Sequence, residues 1–295
     1  MTKSYLSRAA FSRRHIVKLG LLSPALATLP LSQIAALAQI SKIETAADIL
    51  AKARLSVRRL PGLAENIRPQ SFEEAYQVQD ALLMRLGGRG GYKASFASPE
   101  MKPVTGMIRS QLPKRDILKS GAIIKTPPSG LMVVEGEIAY RLRKDLPARD
   151  TIYSDDEVLD AVDAMPGIEI LWTRFEDIAT AGGYALLADL AYNGSYVTGE
   201  PIKDWRQRLP ENPPMTLLLD GKPAFQSDAA THSSNDLNTK PLIWLANEGT
   251  RSLGGLKKGE VISVGNYTRG IPFTVPVKVD VIVGDMGSIV AELFS

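Results

Sequence analysis

The sequence predicts an α+β fold: a helical N-terminal region followed by a sheet made mostly of antiparallel strands. Three observations carry this. Amphipathic, capped stretches open the chain, nine short β-branched or aromatic runs follow residue 90, and no Ser/Gly linker separates the two parts.

Residues 46–58 repeat Ala and Leu with the period of a helix. Ser71 with Glu74 forms a capping box for a helix over 72–86, and Gly87-Gly88 ends it. The period then falls to two. Residues 91–96, 106–108, 132–141, 168–172, 195–198, 215–219, 261–264, 275–283 and 289–293 read as strands. Asp220-Gly221 and Gly284-Asp285-Met286-Gly287 are hairpin turns between neighbouring runs. Two helices interrupt the strands, one over 155–165 capped by Ser154 and Glu157, the other over 242–251 with Gly254-Gly255 behind it. The proline-rich 209–214 reads as a surface loop, and no repeat or low-complexity tract is visible.

Ser12-Arg13-Arg14-His15-Ile16-Val17-Lys18, an apolar stretch broken by Pro24 and Pro30, and Ala36-Leu37-Ala38 together read as a twin-arginine (Tat) signal peptide over 1–38. An uncleaved anchor is the competing reading, but a span needs about 20 clean apolar residues. Residues 39–295 are then one domain exported to the periplasm, with the Tat machinery as a partner. The signal holds five of the 35 basic residues, so 30 remain against 32 acids, a net charge of −2. With no basic stripe interleaved with aromatics, nucleic acid is not implied. Cysteine is absent, and His232 is the one histidine left after the signal. Thiolate nucleophiles and histidine-rich metal sites are thereby excluded, and any bound cation must take oxygen ligands.

Glu135-Gly136-Glu137 puts two carboxylates on one face of an apolar strand, since residues two apart point the same way. Glu169 sits in a second apolar run, Gly167-Ile168-Glu169-Ile170-Leu171-Trp172. Unpaired acids in such places repel and resist desolvation, so the three together suggest a shared divalent metal.

These motifs resemble the fumarylacetoacetate hydrolase superfamily, on the branch of the 2-keto-4-pentenoate hydratases, 2-oxo-dioate hydratases and oxalocrotonate decarboxylases. The match runs in order through Gly91-Tyr92-Lys93, Val134-Glu135-Gly136-Glu137-Ile138-Ala139, Lys144-Asp145-Leu146-Pro147, Gly167-Ile168-Glu169-Ile170, Asn193-Gly194-Ser195, Trp244-Leu245-Ala246 and Leu256-Lys257-Lys258-Gly259-Glu260-Val261-Ile262. The resemblance implies a mixed β-roll holding Mg²⁺ or Mn²⁺ on Glu135, Glu137 and Glu169, and a small 2-oxo or 2-hydroxydienoic acid as substrate. It implies a hydro-lyase working through a metal-stabilised enolate, with Lys93 as a catalytic residue whose pKa burial and a cation would lower. Asn193, Ser195 and His232 are candidate substrate contacts, and a homo-oligomer is expected from the resemblance alone. Tautomerase, decarboxylase or C–C hydrolase chemistry on the same scaffold, or non-catalytic binding of a 2-oxo acid, are the alternatives.

Competing readings stand beside each residue: Lys93 as an edge-strand lysine, Glu135 and Glu137 as a solvated pair, His232 as a surface histidine. Tyr192 and Tyr267 could supply pocket hydroxyls or pack in the core. Val104-Thr105-Gly106 and Tyr192-Asn193-Gly194 stand where the hydratases carry acids, and Ala229-Ala230-Thr231-His232-Ser233-Ser234 replaces a Gly-rich segment of their pocket. Terminal sequencing of protein from the cell envelope should find a mature chain beginning at about Gln39. A start elsewhere corrects the cleavage site, and wholly cytoplasmic protein refutes export.

Overall fold

The structure, a computed structural model, describes residues 30–210, 212–227, 239–265 and 267–295. Residues 1–29 of the expected signal lie outside it. The chain divides into two compact units at Ser41/Lys42. In the first, residues 31–41 are the opening turns of helix α1 (Leu31–Leu55). Among the described residues no helix is long and apolar enough to cross a membrane.

In the second unit, the later turns of α1 bury Ala46, Ala47 and Leu50 with Ala75, Val78 and Leu82 of α2 (Phe72–Arg85). The α2 cap is as the sequence implies, with Ser71 Oγ accepting from Glu74 N at 3.2 Å. Glu74 closes the box one residue early, accepting from Gln70 N at 2.7 Å.

The strands follow as β1 (Arg89–Phe96), β2 (Met107–Pro113), β3 (Ile117–Lys119), β4 (Ala122–Lys125) and β5 (Val133–Leu142). Next come β6 (Leu146–Pro147), β7 (Val162–Leu171), β8 (Asn193–Thr198), β9 (Met215–Leu219) and β10 (Lys222–Ser227). The last are β11 (Gly255–Leu256), β12 (Val261–Gly265), β13 (Ile271–Pro272), β14 (Val277–Val283) and β15 (Ser288–Phe294). The main sheet runs β2-β1-β12-β5-β7-β8-β3, with β13 added to β5. Its pairs β1/β12 and β3/β8 are parallel and the rest antiparallel, so the sheet is mixed. A second sheet runs β10-β9-β14-β15-β4. Val134, Ile138, Ile168 and Ile170 of the first sheet share one core with Met215, Leu217, Val279, Val281 and Ala291 of the second.

Gly136 shows how closely the second sheet approaches β5. A Cβ there would lie 2.8 Å from Thr268 Cγ2, 3.0 Å from Met215 Sδ and 3.1 Å from Val281 Cγ1. Its N–H donates to Thr268 Oγ1 at 2.7 Å. One face of β5 is therefore packed solid, and Glu135 and Glu137 must emerge on the other.

Several elements differ from the sequence reading. The helix expected over 155–165 stops at Leu159, because 162–165 begin the ten-residue strand β7. Nearly every β7 residue is buried on both faces, which erases the alternation that marks a strand. The second inserted helix is Lys240–Trp244 continued by a π-turn, Leu245–Gly249. Short edge strands β3, β4 and β10 and two helices, α3 (Ile178–Ala181) and α4 (Gly183–Ala188), had no periodic signal.

Gly136→Ala should cost about 1–3 kcal/mol, since the new methyl overpacks a filled interface. Urea unfolding measures this, and a cost near zero would show that the sheets can part there.

Candidate metal centre and pocket

Four adjacent strands, β1, β12, β5 and β7, aim polar side chains at one point. Glu135 and Glu137 come from β5, and Glu169 of β7 stands directly opposite Glu135 in the antiparallel register. One carboxylate oxygen from each lies within 4.8 Å of the others. Like charges facing each other across a strand pair oppose the pairing, so this arrangement needs positive charge at its centre.

The protein itself supplies one cation. Lys93 Nζ donates to Glu169 Oε2 at 2.7 Å. Ser263 Oγ, carried by β12 beside Lys93, donates to Glu137 Oε2 at 2.6 Å. Asn193 Nδ2 donates to the second oxygen of Glu169 at 3.1 Å. With all three carboxylates ionised, one ammonium leaves two negative charges uncompensated, the charge of one divalent cation. Burial, with mutual repulsion, pushes the Glu135 and Glu137 carboxyls well above the ordinary carboxylate range. An all-oxygen, charge-deficient and buried donor set fits a hard cation such as Mg²⁺, Mn²⁺ or Ca²⁺.

Lys93 departs from the expectation of a lowered pKa. Burial does act in that direction, but Glu169, Glu135 and Glu137 outweigh it and hold the ammonium above its ordinary value.

A second layer orients the ligands. Arg54 Nη2 donates to Asn193 Oδ1 at 3.2 Å, which turns the Asn193 amide nitrogen toward Glu169. Arg54 also grips the Asn193 carbonyl at 2.8 Å and the Gly194 carbonyl at 2.7 Å, and is itself anchored by Asp116 at 2.8 Å. Arg174, fully buried, donates to the same Asn193 carbonyl at 2.8 Å and pairs with Asp189 at 2.6 Å. These contacts clamp the turn before β8, where Leu190, Ala191 and Tyr192 have φ of 57°, 46° and 68°. Left-handed backbone at residues with a Cβ costs about 1–3 kcal/mol each and persists only when its surroundings impose it. The result is that Ala191 and Tyr192 face a cavity of about 350 Å³ whose head holds Lys93, Glu135 and Glu137.

Of the residues singled out in the sequence, Lys93, Glu135, Glu137 and Glu169 converge. Asn193 stands behind Glu169 rather than in the cavity wall, and Ser195 lies on β8 opposite Ile170, outside the lining. His232 lies outside the described residues. Tyr192 lines the cavity with its hydroxyl 3.2 Å from Ser98 Oγ, whereas Tyr267 is packed in the core. Val104 is buried among the helices. The sequence reading missed Ser263, Arg54, Arg174 and Asp189. Their signal was a charged or polar residue inside an apolar run, as in Trp172-Thr173-Arg174-Phe175 and Val261-Ile262-Ser263-Val264.

No protein-family model matches the chain, and no curated protein sequence matches it. Solved structures do. It is similar to 4-oxalocrotonate decarboxylase from Pseudomonas putida G7 complexed with magnesium and adipate, with a TM-score of 0.70 and 18% identity over 86% of this chain and 98% of that one. Against the same enzyme complexed with calcium and acetate the TM-score is 0.69, at 18% identity and the same coverage of 86% and 98%. The chain therefore has a fumarylacetoacetate hydrolase-like fold, with mixed α and β elements and a curled half-barrel sheet.

Asn193→Ala should weaken binding of Mg²⁺ or Mn²⁺ by about 10–100-fold, the usual effect of removing a group that orients a ligand. Calorimetric titration with each metal measures it; unchanged affinity would show that Glu169 holds its position without the amide.

Proposed function

We propose that this chain is a divalent-metal-dependent enzyme of the fumarylacetoacetate hydrolase superfamily, a lyase of the 2-keto-4-pentenoate hydratase kind acting on a small 2-oxo acid. The observation that carries the reading is the carboxylate triad, largely buried and with Lys93 beside it, in the wall of an apolar cavity. Glu135, Glu137 and Glu169 would hold Mg²⁺ or Mn²⁺. When bound, the cation supplies Lewis-acid stabilisation for the negative charge that develops on a 2-oxo acid as it enolises. The metals in the Pseudomonas putida decarboxylase structures support this assignment.

This chain's own residues have distinct tasks. Lys93, held as an ammonium by its contact with Glu169, is among the described lining residues the one side chain able both to attract a carboxylate and to hand over a proton. Ser263 and Asn193 keep their donors on Glu137 and Glu169, which leaves the remaining carboxylate lone pairs directed inward. The apolar walls lower the local dielectric and so strengthen each charge interaction beside the carboxylates.

Tautomerisation of a 2-hydroxydienoate is a second reading, favoured by the position of Val104. That residue stands where hydratases carry an acid, and it is sealed in the helical core. Proton transfer alone needs no residue to activate water. The sequence further supports export by the twin-arginine route to the periplasm, and the family resemblance alone suggests a homo-oligomer; we propose both on those grounds.

Saturating Mg²⁺ or Mn²⁺ should raise the melting temperature by roughly 5–10 °C at a hundred times the dissociation constant. Glu137→Gln should melt higher than wild type in chelator, having one fewer repelling charge, and should lose the metal response. A mutant that keeps the full response would sink the metal site. With 2-hydroxypenta-2,4-dienoate as substrate, loss of ultraviolet absorbance with a product heavier by one water establishes hydration, and an isomer of equal mass establishes tautomerisation. No turnover of this or other 2-oxo acids by metal-loaded protein overturns both.

A further inference from the structure

Tyr196 is fully buried, and its hydroxyl makes no hydrogen bond among the described residues. Its ring packs with Leu112, Ala139, Met165 and Val261. A buried hydroxyl without a partner is costly to keep where a phenylalanine would fill the same apolar surroundings, so its presence needs a cause.

The strand register places this hydroxyl. Tyr196 stands opposite Glu169 across β7 and β8, and Gly167 stands opposite Glu137 across β5 and β7. Facing residues of a ladder project to one side, as do residues two apart, so Tyr196, Glu169, Gly167 and Glu137 share the face of the carboxylate cluster. A Cβ on Gly167 would lie 2.3 Å from the Tyr196 hydroxyl oxygen and 2.9 Å from its Cζ. The tip of the ring therefore fills the space that a side chain on Gly167 would need. Gly167 is not among the glycines with positive φ, so room rather than backbone freedom requires glycine there. Facing Cβ positions in an antiparallel pair lie about 4.5–5.5 Å apart, which brings the hydroxyl, laid across β7, within the span of the Glu137 side chain. Ser263 Oγ already donates to Glu137 Oε2 at 2.6 Å. Burial and the charges of Glu137 and Glu169 push the phenol well above its ordinary value, so its proton is retained. Tyr196 lies outside the described cavity lining and thus behind the ligands, as Asn193 stands behind Glu169.

On the reading of the carboxylate cluster as a divalent-metal site, we propose that Tyr196 is a positioning residue of that site, whose hydroxyl, admitted over β7 by Gly167, becomes a donor to Glu137 when the cation is bound. The phenol is then unpartnered in the metal-free protein and satisfied in the loaded one. Stability without metal and affinity for metal should therefore respond to its removal in opposite senses.

Tyr196→Phe removes only the hydroxyl. In chelator the variant should melt no lower than wild type, while its affinity for Mn²⁺ by calorimetry should fall about 10-fold. A tyrosine with a purely structural role would give the reverse, a lower melting temperature with unchanged affinity. Ser263→Ala also acts on Glu137, so its effect on Mn²⁺ affinity should be non-additive with that of Tyr196→Phe, whereas the effect of Asn193→Ala, exerted through Glu169, should add. Gly167→Ala, whose methyl would displace the hydroxyl, should weaken Mn²⁺ binding likewise, and Tyr196→Phe decides the matter should that variant fail to fold. Unchanged affinity in Tyr196→Phe, or a lower melting temperature in chelator, overturns the proposal and leaves the metal centre standing. Full additivity with Ser263→Ala overturns the action through Glu137. Wild type that takes up no Mn²⁺ overturns the proposal together with the reading it rests on.

Discussion

Repulsion among three clustered carboxylates, Glu137 and Glu169 buried and Glu135 half-buried, is the constraint around which this molecule is arranged. Glu135 and Glu169 face each other in register, and Glu137 sits two residues from the first. In water such a cluster would spread apart. Here β5 and β7 pair over their whole length, from Val133 opposite Leu171 to Leu142 opposite Val162, and cannot separate without losing that ladder. The unfavourable charge is therefore confined to a point where Lys93 and a divalent cation can offset it.

Confinement needs rigidity on the reverse face. Gly136 lets β9 and β14 come so close that a single added methyl would collide with Met215 and Val281. Behind Glu169, the rigidity is polar rather than apolar. Arg54 and Arg174 converge on the Asn193 carbonyl, each paired with an aspartate of its own, Asp116 and Asp189. Removing either acid would leave a buried guanidinium uncompensated, which typically costs about 3–5 kcal/mol. That stiffness has a purpose in the local geometry. It holds the left-handed run 190–192 in place, and this run delivers both a cavity wall and the amide that orients Glu169.

The parts legible in the sequence were those with a local chemical anomaly. Glu135, Glu137, Glu169 and Lys93 each stood in an apolar strand with no reason to be charged, and all four meet in space. Strand β5 and helix α2 were readable because one pattern, alternation or capping, covered the whole element. Strand β7 was half misread because burial on both faces removes its alternation. The turn at 190–192 was invisible for a deeper reason. Nothing in Leu-Ala-Tyr favours left-handed backbone, and only the distant residues Arg54, Trp172 and Arg174 impose it.

The same division explains why the carboxylate cluster could be read while the reaction could not. Metal binding is written in residue types that are rare in strands, so it leaves a trace wherever it occurs. Substrate choice would depend on which groups line the cavity wall, and ordinary apolar residues brought round a cavity leave no such mark in a sequence. Phe96, Met101, Ile108, Leu131 and Ile178 look like ordinary core or surface residues until the fold brings them round one cavity. Two chains sharing the triad and the curled sheet could therefore accept different acids through changes that neither touch a ligand nor alter the fold. The cavity wall is where such differences between chains of this fold should accumulate.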